Sequence, residues 1–297
     1  MHLTRVQIPE FRALKNVDIT FEKDFTPKIF PLGSENGGGK STLLQLIFVL
    51  LHCTNHSAKS AENLLARYEI PEGVNQQTLA KMDIWDGEKT VQIEFLCCND
   101  DFLNSISNTQ NLSFSILSEE RNRKKRLELL EKELNEDQNT GYSLFLDEED
   151  SSRLQQERKQ FIELRNQQYA SAKLAYELLS SAAKPLLECL HTERYLYITT
   201  YSETEALLCR VCDFPLDTGK SFLSELSEKV FLVAPSTQVY LFMPEKEKKL
   251  IFKAYQRASY ELAVIKTKTE LPHFFTYDFF STDIITQYFK DARNARF

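Results

Sequence analysis

Between residues 41 and 52 almost every position is apolar, with a glycine cluster just before and polar residues just after. A run apolar all round at helical length predicts a helix buried between layers. Short β-type runs lie around it, at 3–8, 17–21 and 28–32. Two more, 82–85 and 90–95, flank Asp86-Gly87, a pair that suits a type I′ hairpin turn. Residues 111–118 read as a further strand. Strands return at 194–201, 205–213 and 229–241, followed by a charged helix over 245–266 and an aromatic-rich tail. Helices mixed with strands in this way predict an α/β chain.

The texture changes between 119 and 190. Segments 119–137 and 151–187 are charged and helical, joined by a turn-rich link at 135–142. Leu127, Leu130 and Leu134 recur at i, i+3, i+7, and Leu154, Phe161 and Leu164 continue the spacing. The pattern predicts an antiparallel helical hairpin, a short coiled coil whose first arm reaches about 27 Å at 1.5 Å per residue. The chain then divides into 1–118, an inserted hairpin at 119–190, and 191–297, the outer segments forming one α/β domain.

Composition adds little except at one place. With 42% hydrophobic and 27% charged residues, the 297-residue chain has ample material for a core. A net charge of −7 argues against coating nucleic acid by bulk electrostatics. The longest apolar run, 43–51, is too short to span a bilayer, and the first residues lack the apolar region of a signal peptide. Six scattered cysteines do not make a disulfide scaffold, so a reducing, cytoplasmic location is expected. Glycine is the exception. There are only eight, against roughly 21 at average usage, and Gly33, Gly37, Gly38 and Gly39 fall in one loop.

That loop is the strongest chemical signal in the chain. Residues 28–42 run from a β-type segment through Gly33-Ser34-Glu35-Asn36-Gly37-Gly38-Gly39 into Lys40-Ser41-Thr42 and the apolar helix. Strand, glycine loop and helix in this order are what a phosphate-binding loop requires. Successive backbone N–H groups turn inward as an anion nest, and the helix N-terminus adds partial positive charge. Lys40 is expected on the β- and γ-phosphates of ATP, the Ser41 hydroxyl on Mg²⁺, and Thr42 near the α-phosphate. The strict form G-x-x-x-x-G-K-[ST] has glycine where this chain has Ser34, with Gly33 one place early. The alternative is a glycine-rich turn that only caps a helix.

The wording narrows the class. Asn36-Gly37-Gly38-Gly39-Lys40-Ser41-Thr42 resembles the N-G-x-G-K-S-T loop of ABC-type ATPases. Residues 3–14, with Phe11-Arg12-Ala13-Leu14, resemble the opening strand and turn of the SMC, RecF and OLD branch. The resemblance implies a P-loop NTPase fold with a mixed sheet, and a soluble ATPase of DNA repair, chromosome organisation or anti-phage defence rather than a transporter. It implies that Phe11 and Arg12 lie by the adenine. Residues 230–238 look like a strand running into a Q-loop, whose Gln238 would touch Mg²⁺ or the attacking water. Lys40 and Gln238 are then the catalytic candidates, and Ser41 and Gln238 the metal ligands.

Other parts of such an engine are missing from the text. No Leu-Ser pair is followed by glycine, so the L-S-G-G-Q-type signature is absent. Leu144-Phe145-Leu146-Asp147-Glu148 imitates the apolar run ending in Asp-Glu, but sits between the charged arms and reads as a solvated cap. Asp217-Thr218-Gly219-Lys220-Ser221 lacks an entering β-run and is set aside. The expectation is a nucleotide-gripping lobe, either truncated or completed by a homodimer or partner subunit, with DNA or a nuclease as client and no membrane. The contrasting expectation is a non-hydrolytic, ATP-gated interaction module. Among weaker signals, Cys209 and Cys212 read as buried thiols, the basic run 121–126 as a solvated face, and the aromatics of 274–280 as packing. His52 and His56 stand at i, i+4, but with no carboxylate beside them on the helix end no metal site is assigned.

Overall fold

The computed structural model describes residues 1–22, 30–33, 38–56, 58–107, 112–139, 148–235 and 273–277. It divides into two compact units, one made of Met1–Phe102 with Leu190–Phe297, the other of Leu103–Cys189. The second unit thus starts earlier than the hairpin expected from 119.

The first unit is built on a six-stranded sheet. Its strands are β1 (His2–Phe11), β2 (Leu14–Thr20), β3 (Gln76–Trp85), β4 (Thr90–Asn99), β5 (Leu196–Thr200) and β6 (Glu205–Val211). They lie in the order β2-β1-β3-β4-β6-β5, every neighbouring pair antiparallel. Alternation dictates which face of β1 is covered: Val6 and Ile8 are fully buried, while Arg5 and Gln7 beside them are only partly so. Three helices of this unit, α1 (Lys40–His52), α2 (Lys59–Leu65) and α6 (Leu216–Ser227), contribute Leu46, Leu50, Leu64, Leu65 and Leu223 to the same core. A separate parallel pair joins β7 (Leu232–Pro235) to β8 (Phe274–Tyr277). Among the described residues, antiparallel and parallel pairing thus occur in two separate sheets, a large antiparallel one and a small parallel one.

Several local readings change. The β3–β4 hairpin extends well beyond 82–95, and its loop spans 86–89 rather than the two residues of a type I′ turn. Asp86 dictates this, because its carboxylate accepts from the amides of Glu88 and Lys89 at 2.7 and 2.8 Å, with Gly87 at φ 125°. Of the β-type run 28–32 only 30–32 are described, and they carry no strand. The strand expected over 229–241 is confined to β7 within the described residues, and 245–266 lies outside them.

On the sheet, Glu94 of β4 is 5% exposed yet charged. Lys81 lies 3.0 Å away on β3, and Arg210 2.5 Å away on β6. Burial would raise the Glu94 carboxyl, but the hydrogen bonds from Lys81 and Arg210 prevail and hold it below its usual range.

After β4, α3 (Asp100–Ser107) starts at once, with Asn99 Oδ1 accepting from the Phe102 amide at 3.0 Å as an N-cap. The second unit is dominated by α4 (Phe114–Asn139) and α5 (Glu148–Thr192). The strand expected at 111–118 is instead the start of α4. Leu112, Phe114 and Ile116 alternate as a strand would, but Phe114 and Leu117, at i, i+3, are the buried pair, and Ser113 Oγ accepts from the Ser115 amide at 3.2 Å. Arg165 of α5 pairs with Glu133 of α4. Between the arms runs a groove of about 720 Å³ lined by Arg123, Arg126, Leu130, Leu164 and Gln168. Leu127, Leu130 and Leu134 of α4 are half-buried, whereas Phe161 and Leu164 of α5 are 47% and 54% exposed. No described helix is long and apolar enough to cross a membrane.

Candidate functional site

The two ends of α1 hold the chemistry of the first unit. At the N-terminal end, Gly39 adopts φ 83° and Lys40 is the first helical residue. A side chain at 39 would be strained by that φ, and its Cβ would come within 2.7 Å of Leu14 Cδ2. The glycine therefore lets the helix start abut the tight β1–β2 turn, where Phe11 pairs with Leu14 across Arg12 and Ala13. The fold thus brings two sequence-predicted segments together, residues 11–14 and the glycine cluster.

Among the described residues no side chain caps α1, and its first turn holds no acidic residue. Its leading amides, including those of Ser41 and Thr42, precede the first intrahelical bond, from the Leu43 amide to the Gly39 carbonyl at 2.8 Å. Ser41 is exposed, and Lys40 and Thr42 are half-buried. An uncapped helix N-terminus without carboxylates, preceded by glycines, is suited to an anion. Ser34, Glu35, Asn36, Gly37 and Gln238 lie outside the described residues.

Phe11 and Arg12 are used by the fold. Phe11 is 1% exposed and faces Tyr68 at 6.1 Å between ring centroids. Arg12, at φ 54°, donates to the Leu64 carbonyl at 2.7 Å, near the end of α2, where helical carbonyls favour a cation. The Phe11 ring is enclosed in the core, while Arg12 is an exposed residue tethered to α2.

The C-terminal end of α1 carries a cluster that the sequence leaves unassigned. His52, His56 and His273 meet there, one ring nitrogen of each within 4.8 Å of one from both others. His52 is 1% exposed, and its Nε2 lies 2.7 Å from the Val230 carbonyl. Burial, set against that hydrogen bond, pushes His52 down to about 4, so the ring is neutral at pH 7. Glu228, which follows α6, places its carboxylate 3.2 Å from His56 Nε2 and 3.6 Å from His273 Nε2. The i, i+4 histidines were the visible half of this signal. The carboxylate and third ring come from segments remote in sequence.

The remaining motifs resolve into packing. Cys209, in β6, is fully buried and Cys212 partly so, and burial raises both thiols. Gly219 sits within α6 against Val211, where a Cβ would approach that side chain to 3.2 Å. Glu148 opens α5, while Asp147 lies outside the described residues. Phe274 is a buried core residue of β8. No family model, curated protein or solved structure matches the chain.

Proposed function

We propose that the chain binds Mg-ATP through the loop that opens α1, as the nucleotide-gripping lobe of an SMC- or OLD-like ATPase serving DNA repair or anti-phage defence. The observation that carries this reading is the start of α1: a left-handed Gly39, then Lys40-Ser41-Thr42, with no side-chain cap and no first-turn acid. Lys40 grips the β- and γ-phosphates as a charge-assisted donor, and the Ser41 hydroxyl completes the Mg²⁺ shell. The glycine backbone supplies amides in place of side chains. Gln238 has the role of γ-phosphate sensor.

The absent L-S-G-G-Q-type element supports hydrolysis only across a contact, with a second copy or another subunit facing the γ-phosphate. It equally supports a switch that orders itself on ATP without turnover. Both readings need the same grip, so one measurement addresses them: Mg-ATP affinity and turnover for the wild type and Lys40→Ala over a range of protein concentration. Lys40→Ala should weaken binding about 10- to 100-fold, the loss of one charge-assisted contact. Equal affinities would end both readings. Turnover rising faster than protein concentration marks the intermolecular ATPase, and binding with no turnover at any concentration marks the switch.

A further inference from the structure

We propose that His52, His56 and His273, together with Glu228, form a binding site for one divalent transition-metal ion, with Zn²⁺ the best chemical match. The site is separate from the nucleotide end of α1. Its donors are three imidazoles and one carboxylate, a set suited to zinc, whereas Mg²⁺ takes oxygens.

Hydrogen bonding decides which ring nitrogens are available. A carbonyl oxygen only accepts, so His52 Nε2, 2.7 Å from Val230 O, carries the hydrogen. His273 Nδ1 lies 3.2 Å from the same carbonyl and 3.3 Å from that of Ser227, so it too is protonated. The lone pairs are thereby left on His52 Nδ1 and His273 Nε2. A ring nitrogen fixed by a backbone carbonyl while the other is left to ligate is the usual arrangement of metal-bound histidine. His52 Nδ1 is buried and makes no hydrogen bond among the described residues, while buried His56 Nε2 faces the Glu228 carboxylate at 3.2 Å. A buried acceptor nitrogen without a donor, beside two further rings and a carboxylate, is the condition an ion would relieve.

The spacing fits with modest adjustment. Zn–N distances near 2.0–2.1 Å in a tetrahedral shell set the nitrogens roughly 3.4 Å apart, against the present limit of 4.8 Å. His56 and His273 are partly exposed and can rotate inward, while His52 is held by Val230. Glu228, with its side chain 55% exposed, is placed to become the fourth ligand and to offset the ion's charge. It also borders an open depression of about 660 Å³ with Ser224 and Glu225, which gives an ion a route in. Filled, the site would join the end of α1, the end of α6 and the residue leading into β8.

The test uses the full chain, stripped of metal and titrated with Zn²⁺ by calorimetry against a competing chelator, and with Co²⁺ by visible spectroscopy. One Zn²⁺ per chain is expected, with dissociation in the micromolar range or below. His56→Ala and His273→Ala should each weaken it by more than the roughly 10- to 100-fold that outer partners of a metal site contribute. Glu228→Gln should weaken it about 10-fold, and Cys53→Ser should leave it unchanged. Unaltered zinc affinity in His56→Ala and His273→Ala would overturn the proposal, as would binding weaker than about 10⁻⁴ M, the range of the weakest metal sites. Should those variants fail to fold, X-ray absorption on the wild-type zinc complex decides. A shell of nitrogen and oxygen with imidazole scattering supports the site, and sulfur in the shell removes it.

Discussion

One apolar helix of 13 residues, α1, carries at its two ends the proposed sites, which have opposite electrical preference. Its N-terminal end presents backbone amides behind Gly39 and suits an anion. Its C-terminal end gathers imidazoles and a carboxylate and suits a cation. Both follow the partial charges of the helix, positive at the start and negative at the end. They differ in what holds them. The first is made of consecutive residues, backbone amides together with the Lys40 and Ser41 side chains. The second is made entirely of side chains, contributed by α1, α6 and the approach to β8. Backbone sites are written locally, and side-chain sites are written by the fold.

The comparison is most severely broken from the middle. Leu46 is fully buried in α1 between the two ends. Leu46→Ala should destabilise the chain by about 2–5 kcal/mol in urea unfolding, the usual cost of a core cavity. Mg-ATP and Zn²⁺ binding should weaken together, and independence of either from this change would mean that α1 does not underlie that site. Gly39→Ala should separate the ends. The left-handed φ costs about 1–2 kcal/mol for a residue with a Cβ, and Leu14 must also move. Nucleotide affinity should fall while zinc affinity stays within twofold, as measured by the same titrations. A parallel loss of zinc would show that the strain reaches the far end.

The smallest effect lies away from both ends. Glu94 has its folded pKa lowered, so its contribution is complete above the unfolded value of 4.5 and fades as pH falls toward the folded pKa. Glu94→Gln should destabilise the chain by about 1 kcal/mol at pH 7 and flatten the acid limb of the stability curve below pH 4.5. Unchanged acid sensitivity would assign that limb to other carboxylates. Both binding sites should remain intact in this variant.

The same contrast explains what was legible in the sequence. The buried helix, the β1–β2 and β3–β4 pairs and the charged arms carry their periodicity within a dozen residues, and each was placed near its observed position. The α4 start misled because Leu112, Phe114 and Ile116 alternate like a strand, while burial selects Phe114 and Leu117. The Asp-Gly turn misled because Asp86 accepts two backbone hydrogen bonds in a longer loop. The resemblance puts Phe11 and Arg12 by the adenine; in the fold the Phe11 ring is buried in the core and Arg12 donates to the Leu64 carbonyl at the end of α2. The histidine cluster was half visible as i, i+4 spacing. Nothing near His52 indicates that Val230, 178 residues away, will fix its tautomer.

That separation also sets an order in time. Leu14 and Gly39 are close along the chain, so their junction closes a short loop and can form early. The bond between His52 and Val230 must await closure of nearly the whole first unit around the intervening arms. A contact completed that late stands on the native side of the folding barrier. An ion held there would slow the chain's opening while leaving the speed of its folding almost untouched.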